Sequence, residues 1–311
     1  MPIPVVQLGT SNVGIHALRA LIANPEYELT GVWVSSDAKA GKDAAELAGL
    51  PDSTGVLAST DLDAVLATGP RCAVYNALAD NRLPEALEDY RRVLAAGINI
   101  VGSGPVFLQY PWEVIQEELI KPLEDAARQG NSSLYVNGID PGFVNDLLPL
   151  ALAGTCQSIQ QIRCMEIVDY STYDSAAVMF DVMGSGKPMD DIPVLLQPGV
   201  LSLAWGSVIR QIAAGLGVSL GAVTEEHVRI PAPEDFDIAS GHIAKGTAAA
   251  LLRGVRHRRR QARDRPGPRH AVASGPAARV APARPGGRFV PHRDHRRTLL
   301  RRGCLPRQSK R

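Results

Sequence analysis

The feature that most constrains this chain is its opening. A short, β-branched apolar run, Ile3-Pro4-Val5-Val6-Gln7-Leu8, ends at Gly9-Thr10-Ser11-Asn12-Val13-Gly14. Such a run, closed by glycine, predicts a buried parallel strand. Val13, Ile15, Leu18, Leu21 and Ile22 then recur near helical spacing until Asn24-Pro25, which predicts a helix immediately after the turn. Strand, glycine turn and helix together aim backbone amides and the positive end of a helix dipole at one point, an arrangement that can hold a pyrophosphate. Glycine fills the first and last positions of the G-x-G-x-x-G pattern, and Ser11, in the middle, is small enough for close approach. A dinucleotide site on Gly9, Thr10, Ser11, Asn12, Val13 and Gly14 is therefore expected. The alternative is a turn that only packs helix on strand.

The same alternation continues along the chain. Strands are expected at Leu29 to Val34, Cys72 to Tyr75, Ile98 to Val101 and Leu134 to Val136. Helices are expected at Ala44 to Leu50, Pro84 to Ala96 and Trp112 to Arg128. This predicts an α/β fold, a Rossmann-type doubly wound parallel sheet over residues 1–142. After Gly142 the texture changes to a helix over 143–154, a strand from Ile159 to Tyr170, a loop over 184–188, a helix over 200–216 and a strand from Val228 to Ile230. A second, smaller α+β domain over 143–252 follows, and 311 residues suffice for two modest cores.

Charge divides the chain differently. Residues 253–311 carry 18 Arg and one Lys against Asp264 and Asp294, a surplus of 17, while the net charge of the whole chain is +1. The first 252 residues are thus acidic by 16. An Arg- and Pro-rich segment with few large apolar residues cannot bury enough surface to fold alone, so a disordered tail is expected. Taken at face value it would bind nucleic acid non-specifically. A second account is a slipped reading frame. Read one base on through one synonymous codon set, His257 to His270 becomes Ile-Val-Asp-Gly-Lys-Pro-Ala-Ile-Val-Leu-Asp-His-Val, a strand, an Asp-Gly turn and a strand. The slip would lie near residues 248–256, leaving the second domain incomplete.

In a doubly wound sheet the ligand lies beyond the carboxyl ends of the strands. Ser35, Ser36 and Lys39 follow the second strand, where an acidic residue would favour NAD. Hydroxyls and a lysine suit a 2′-phosphate, so NADP is favoured over NAD, although Asp37 keeps NAD open and Lys39 and Lys42 also read as a solvated loop. Asn76 and Ala77, Ser103 and Asn137 end later strands and complete the candidate cofactor set. Asp140 and Tyr110, with Tyr173 from the second domain, are the candidate acid/base groups. Asp140 reads equally as a turn residue capping the next helix, and the tyrosines as packing residues. Glu166 and Asp169 read as solvated positions of a half-exposed strand. Met165, Met179 and Met183 read as core or as the wall of an apolar pocket. Asp190-Asp191 and Glu225-Glu226 lack histidine at ligand spacing, so no metal is expected. Cys72, Cys156, Cys164 and Cys304 show no C-x-x-C pair and read as reduced.

Gly9-Thr10-Ser11-Asn12-Val13-Gly14, Val34-Ser35-Ser36 and above all Asn137-Gly138-Ile139-Asp140-Pro141-Gly142-Phe143-Val144-Asn145-Asp146 resemble the dihydrodipicolinate reductase-like dehydrogenases. Within them the likeness is to the branch containing 2,4-diaminopentanoate dehydrogenase and the native amine dehydrogenases, over roughly residues 3–250. The resemblance implies an N-terminal Rossmann domain, a second domain that makes a homodimer, and hydride exchange between NAD(P)H and a C=N or C=O carbon. Two departures stand out. The His-His-x-x-Lys-x-Asp stretch of true dihydrodipicolinate reductases has no counterpart, since only His242 and Lys245 precede Gly246-Thr247. The glutamate expected after the fifth strand in amine dehydrogenases is also missing, because no carboxylate lies between Gly102 and Glu113.

The expected function is an NAD(P)-dependent oxidoreductase acting on a small amine, imine or carbonyl substrate. The alternatives are a nucleotide-binding redox sensor or an inactive truncated paralogue. No apolar run reaches the ~18 to 20 residues that cross a bilayer, and no basic region precedes an apolar stretch at the start, so no membrane partner and a cytoplasmic location are expected.

Overall fold

The computed structural model describes residues 1–79, 82–259 and 271–279, with the backbone alone at residue 252, at 256–259 and at 271–279. The chain divides into two units, Met1–Gly138 and Ile139–Arg311.

In the first unit the strands are β1 (Ile3–Leu8), β2 (Tyr27–Trp33), β3 (Ala58–Ser59), β4 (Cys72–Tyr75), β5 (Asn99–Gly102) and β6 (Leu134–Val136). The helices are α1 (Asn12–Ala23), α2 (Ala44–Ala48), α3 (Leu62–Leu66), α4 (Leu83–Ala95) and α5 (Glu117–Gly130). All pairings are parallel, in the order β3-β2-β1-β4-β5-β6. This is the doubly wound order whose reversal point falls at β1 and β4. β1 occupies the middle because Val5, Val6, Gln7 and Leu8 are all buried. The core joins Leu8, Tyr75, Tyr90, Val93 and Ile100; burial of each large side chain contributes on the order of 1.5–3 kcal/mol.

α5 begins later than the sequence predicts. The expected start at Trp112 is replaced by a turn in which Glu113 adopts φ +61°, a conformation no helix tolerates. Val114 and Ile115 keep the helical apolar spacing across that turn, which is why the pattern misleads.

The second unit contains α6 (Leu147–Ala153), β7 (Gln161–Asp169), a π-helical segment (Ala177–Val182), α7 (Val200–Gly215), β8 (Leu220–Pro231), β9 (Phe236–Ile238), β10 (Gly241–Ile243), β11 (Ala248–Arg259) and β12 (Ala271–Arg279). Four strands form a sheet in the order β7-β12-β11-β8, with β12 parallel to β7 and antiparallel to β11. α7 covers one face: Trp205, Val208, Ile209 and Ile212 pack with Leu251 and Val255. Its first turn is held by β8, where the Glu225 carboxylate accepts from Gly199 N at 3.1 Å and Ser202 N at 2.6 Å. An acidic group at that end complements the helix dipole.

β8 is much longer than the predicted Val228 to Ile230, and α6 starts at Leu147 rather than 143, after Asp146. β11 runs to Arg259, seven residues into the basic segment, because Leu251 and Val255 alternate inward along it. The expectations for residues 260–270 and 280–311 lie outside the described residues.

Candidate functional site

In the first unit β1 delivers the chain into Gly9 at φ +94°, a left-handed conformation that glycine alone adopts freely. A Cβ on Gly9 would strike the backbone of Ala77, and one on Gly14 would strike the Gly9 carbonyl oxygen. Both glycines are therefore fixed by close approach of the strand, the turn and the loop after β4. Ser11 caps α1: its Oγ accepts from Gly14 N at 3.4 Å and donates to Asn76 O at 2.8 Å. Serine at the middle glycine position thus ties the turn to the β4 loop.

Beneath the turn lies Gln7, fully buried. Its Nε2 donates to Gly9 O at 2.8 Å and to Asn76 Oδ1 at 3.0 Å. Asn76 Nδ2 donates onward to Ser103 Oγ at 2.9 Å. From the other side Lys39 Nζ reaches the turn and donates to Thr10 O at 2.8 Å and to Thr10 Oγ1 at 3.1 Å. Lys39 is therefore a cation set on the glycine turn rather than a freely solvated loop lysine.

These bonds bring together Gly9, Thr10, Ser11, Gly14, Lys39, Asn76, Ala77 and Ser103. Asn12 and Val13 open α1 on its exposed side, and Ser35 and Ser36 are exposed beyond the end of β2. Asn137 continues from β6, its amide bonding Gly102 O at 3.0 Å and its Nδ2 donating to Tyr135 Oη at 2.9 Å. Tyr110 is half-buried and meets Trp112 edge-on, with ring centroids 5.1 Å apart.

The second unit holds a different constellation, around Asp140. This residue is not the cap of α6; Asp146 is, with its carboxylate accepting from Leu147 N. Asp140 Oδ1 instead accepts from Asn145 Nδ2 and, at 2.7 Å, from the indole Nε1 of Trp205. Asn145 closes the Asp-Pro-Gly turn from the other side by accepting from Gly142 N at 2.8 Å. A buried asparagine, 3% exposed, thus explains why Asp140-Pro141-Gly142 is followed by Asn145 at that spacing.

Glu166 joins this cluster, against expectation. Half-buried on β7, its carboxyl is pushed up to about 7 by loss of water and by the charge and hydrogen bonding of Asp140, with the Arg253 charge opposing. The guanidinium of Arg253, on β11, lies 4.1 Å from the centre of the Trp205 ring. Burial lowers its pKa from the usual arginine value, against the opposing effect of Tyr170, Asp140 and Glu166. The neighbouring Cys164 thiol is pushed up to about 11 by burial and by the charges of Asp140 and Asp146. Asp169, on the opposite face of the strand, is exposed as expected. The missed signal was parity: Ile162, Cys164, Glu166 and Val168 share the half-buried face of β7, and Glu166 is its one carboxylate.

Tyr173 is 45% exposed and meets Tyr170 edge-on at 5.9 Å. The methionines do not form one wall: Met179 is fully buried, whereas Met165 is 49% exposed. Among the described residues no helix is long and apolar enough to cross a membrane.

The strand order and the glycine turn define a Rossmann-type doubly wound sheet in the first unit, and the second unit is α+β. The particular likeness is to amine dehydrogenases. An amine dehydrogenase of Streptomyces virginiae is 42% identical over 223 residues, 72% of this chain and 62% of that protein. A 2,4-diaminopentanoate dehydrogenase of Acetoanaerobium sticklandii is 25% identical over 146 residues, 46% of this chain and 40% of the relative. The chain thus spans less than two thirds of either curated relative. Among solved structures, an amine dehydrogenase from Mycobacterium smegmatis shares the fold with TM-score 0.74 at 19% identity, covering 92% of this chain and 81% of that one. GenD2 of gentamicin A biosynthesis, solved with NAD, aligns with TM-score 0.51 at 18% identity, over 92% of this chain and 67% of its own. No family model matches. The relatives carry the description that the glycine turn and the Asp-Pro-Gly-Phe segment imply.

Proposed function

We propose that the chain is an NAD(P)-dependent dehydrogenase or reductase that exchanges hydride with the C=N or C=O carbon of a small amine, imine or carbonyl compound. The observation that carries this reading is the closed glycine turn, with Gly9 against Ala77, Gly14 against Gly9 and Lys39 seated on Thr10. The residues suit a dinucleotide: the first turn of α1 presents amides to a pyrophosphate, and Lys39 and the Ser35-Ser36 hydroxyls favour the 2′-phosphate of NADP. When bound, the nicotinamide ring supplies or accepts the hydride. The chain's own residues orient the cofactor and move the substrate proton, with Asp140, Tyr110 and Tyr173 as the candidate acid/base groups. A homodimer is supported by the sheet face opposite α7, where Met165 and Ile167 of β7 and Val228 and Ile230 of β8 are exposed.

Fluorescence titration with NADPH and NADH, followed by assay of ketone plus ammonia, tests the proposal. Tight NADPH binding with turnover is the expected result. Binding without turnover on any amine or ketone favours the nucleotide-sensing alternative, and no binding removes the reading.

The slipped frame remains a proposal about the segment beyond residue 252. β12 is supported by its position but not by its sequence, for Gly275-Pro276 lies in the interior of a central strand. Proline there has no N–H for the ladder. An independently sequenced gene that reads through residues 248–311 without a shift overturns it.

A further inference from the structure

Gln7 is fully buried beneath the glycine turn, and the two polar atoms of its side chain fare differently. Nε2 donates to Gly9 O at 2.8 Å and to Asn76 Oδ1 at 3.0 Å. Oε1 is buried and, among the described residues, receives no donor. A buried acceptor left unmet is costly, and an apolar side chain of similar size would fill the space without that cost. What glutamine supplies here is therefore the direction of its NH2 group.

That direction is fixed by the backbone. Gly9 O is a carbonyl and only accepts, so the Gln7 atom facing it is the nitrogen. The same NH2 group requires an acceptor from Asn76, which turns Oδ1 toward Gln7 and leaves Nδ2 to donate to Ser103 Oγ at 2.9 Å. Ser103 Oγ accepts this bond, and its own proton meets no acceptor among the described residues. A hydroxyl held in this way is a donor. Ser103 is exposed just beyond β5, at the carboxyl edge of the sheet, with its amide tied to Tyr75 O at 3.1 Å.

We propose that Gln7 is a positioning residue: through Asn76 it fixes the Ser103 hydroxyl as a hydrogen-bond donor to an acceptor oxygen on the nicotinamide half of the dinucleotide. The inference rests on the dehydrogenase reading above and deepens it by assigning how one end of the cofactor is oriented. The strand order selects the half. The pyrophosphate belongs to the switch point at β1 and β4, and the adenosine ribose to the end of β2, where Ser35, Ser36 and Lys39 stand. The other half then extends past β4 toward β5, and it carries ribose hydroxyls and a carboxamide carbonyl, all of which accept. Every residue in the string belongs to the first unit.

Calorimetric titration of the full chain tests the assignment by comparing a dinucleotide with its adenosine half: NADPH with adenosine 2′,5′-bisphosphate, and NADH with ADP. The readout is the ratio of the two affinities. A merely distorted turn weakens both ligands, because both place a phosphate on it, and leaves the ratio unchanged. Ser103→Ala is expected to lower the ratio by about tenfold, the upper range for one neutral hydrogen bond. Asn76→Asp keeps an acceptor for Gln7 but sets a second acceptor before Ser103, so the hydroxyl turns inward and the same loss is expected. Gln7→Leu releases Asn76 and should give part of that loss, with the double variant Gln7→Leu/Ser103→Ala no worse than Ser103→Ala alone. A ratio within about twofold of wild type in Ser103→Ala, or full additivity of Gln7→Leu with Ser103→Ala, overturns the proposal. If Gln7→Leu does not fold, Asn76→Asp decides, since it leaves Gln7 and its bonds in place; an unchanged ratio there overturns the proposal too. A wild-type chain that binds none of the four ligands removes the dehydrogenase reading and this assignment with it, whereas a wild-type chain that binds them with a ratio no variant moves removes this assignment alone.

Discussion

Gly9→Ala separates two costs that the glycine turn imposes. Gly9 holds φ +94°, and an alanine forced into left-handed backbone loses about 1–2 kcal/mol. The added methyl also meets the Ala77 backbone, which cannot swing aside as a side chain can, and overpacking of this kind costs about 1–3 kcal/mol. The sum is about 2–5 kcal/mol, which lowers Tm by roughly 6–20 °C for a unit of this size. Gly41 is the internal control: φ is +76°, but nothing lies within 4 Å of its virtual Cβ, so Gly41→Ala carries the backbone cost alone. The assay is thermal unfolding followed by circular dichroism, with NADPH titration of each folded variant. Gly9→Ala should melt well below Gly41→Ala and bind NADPH at least about tenfold more weakly, equivalent to 1.4 kcal/mol. Equal melting of the two variants, within about 2 °C, would refute the close-approach argument.

Lys39→Ala removes the cation from the glycine turn. It should weaken NADPH binding more than NADH binding and change stability by less than about 0.5 kcal/mol, as read by parallel titrations and urea unfolding. Trp205→Phe deletes the indole donor to Asp140 and weakens the stack under Arg253. A hydrogen bond to a charged acceptor is worth about 1.5–3 kcal/mol, so chemical denaturation should show a loss of about 2–4 kcal/mol, mostly in the second unit. Glu166 also sets a pH trend: its carboxyl is held near 7 against an ordinary value of 4.5, so the folded state binds more protons than the unfolded chain in between. Its stabilising contribution is complete below about 4.5 and is lost as pH rises through about 7. The urea midpoint should fall across that window, and Glu166→Gln should flatten the fall.

The parts of the fold that local chemistry specifies were legible in the sequence. β1, the glycine turn and α1 are announced by residues in direct succession, and Ser11 and Lys39 act within that neighbourhood. β3, at two residues, is too short to show a period, and the start of α5 was masked by Val114 and Ile115. The cluster around Asp140 was only half legible. The Asp-Pro-Gly turn is local, but its partners come from 26 residues away on β7, from α7 and from β11. Glu166 looked solvated because alternation gives two faces without saying which one α7 will cover. Arg253 looked like the first charge of a basic tail, and only the β11 pairing turns it toward Trp205.

The strand order of the second sheet has a consequence for synthesis. The first unit owns every strand of its sheet once Val136 has emerged, whereas β7 must wait for β12, more than a hundred residues later, before it acquires its neighbour. At translation rates of about 5–20 residues per second, the 143 residues from Val136 to the end of β12 at Arg279 take about 7–29 s. During that interval a finished nucleotide fold precedes an open-edged, unfinished one on the same ribosome. A nucleotide that binds the nascent chain would therefore anchor the first unit early. The exposed edge of β7 is the place where a chaperone, or a second nascent chain, would compete with β12.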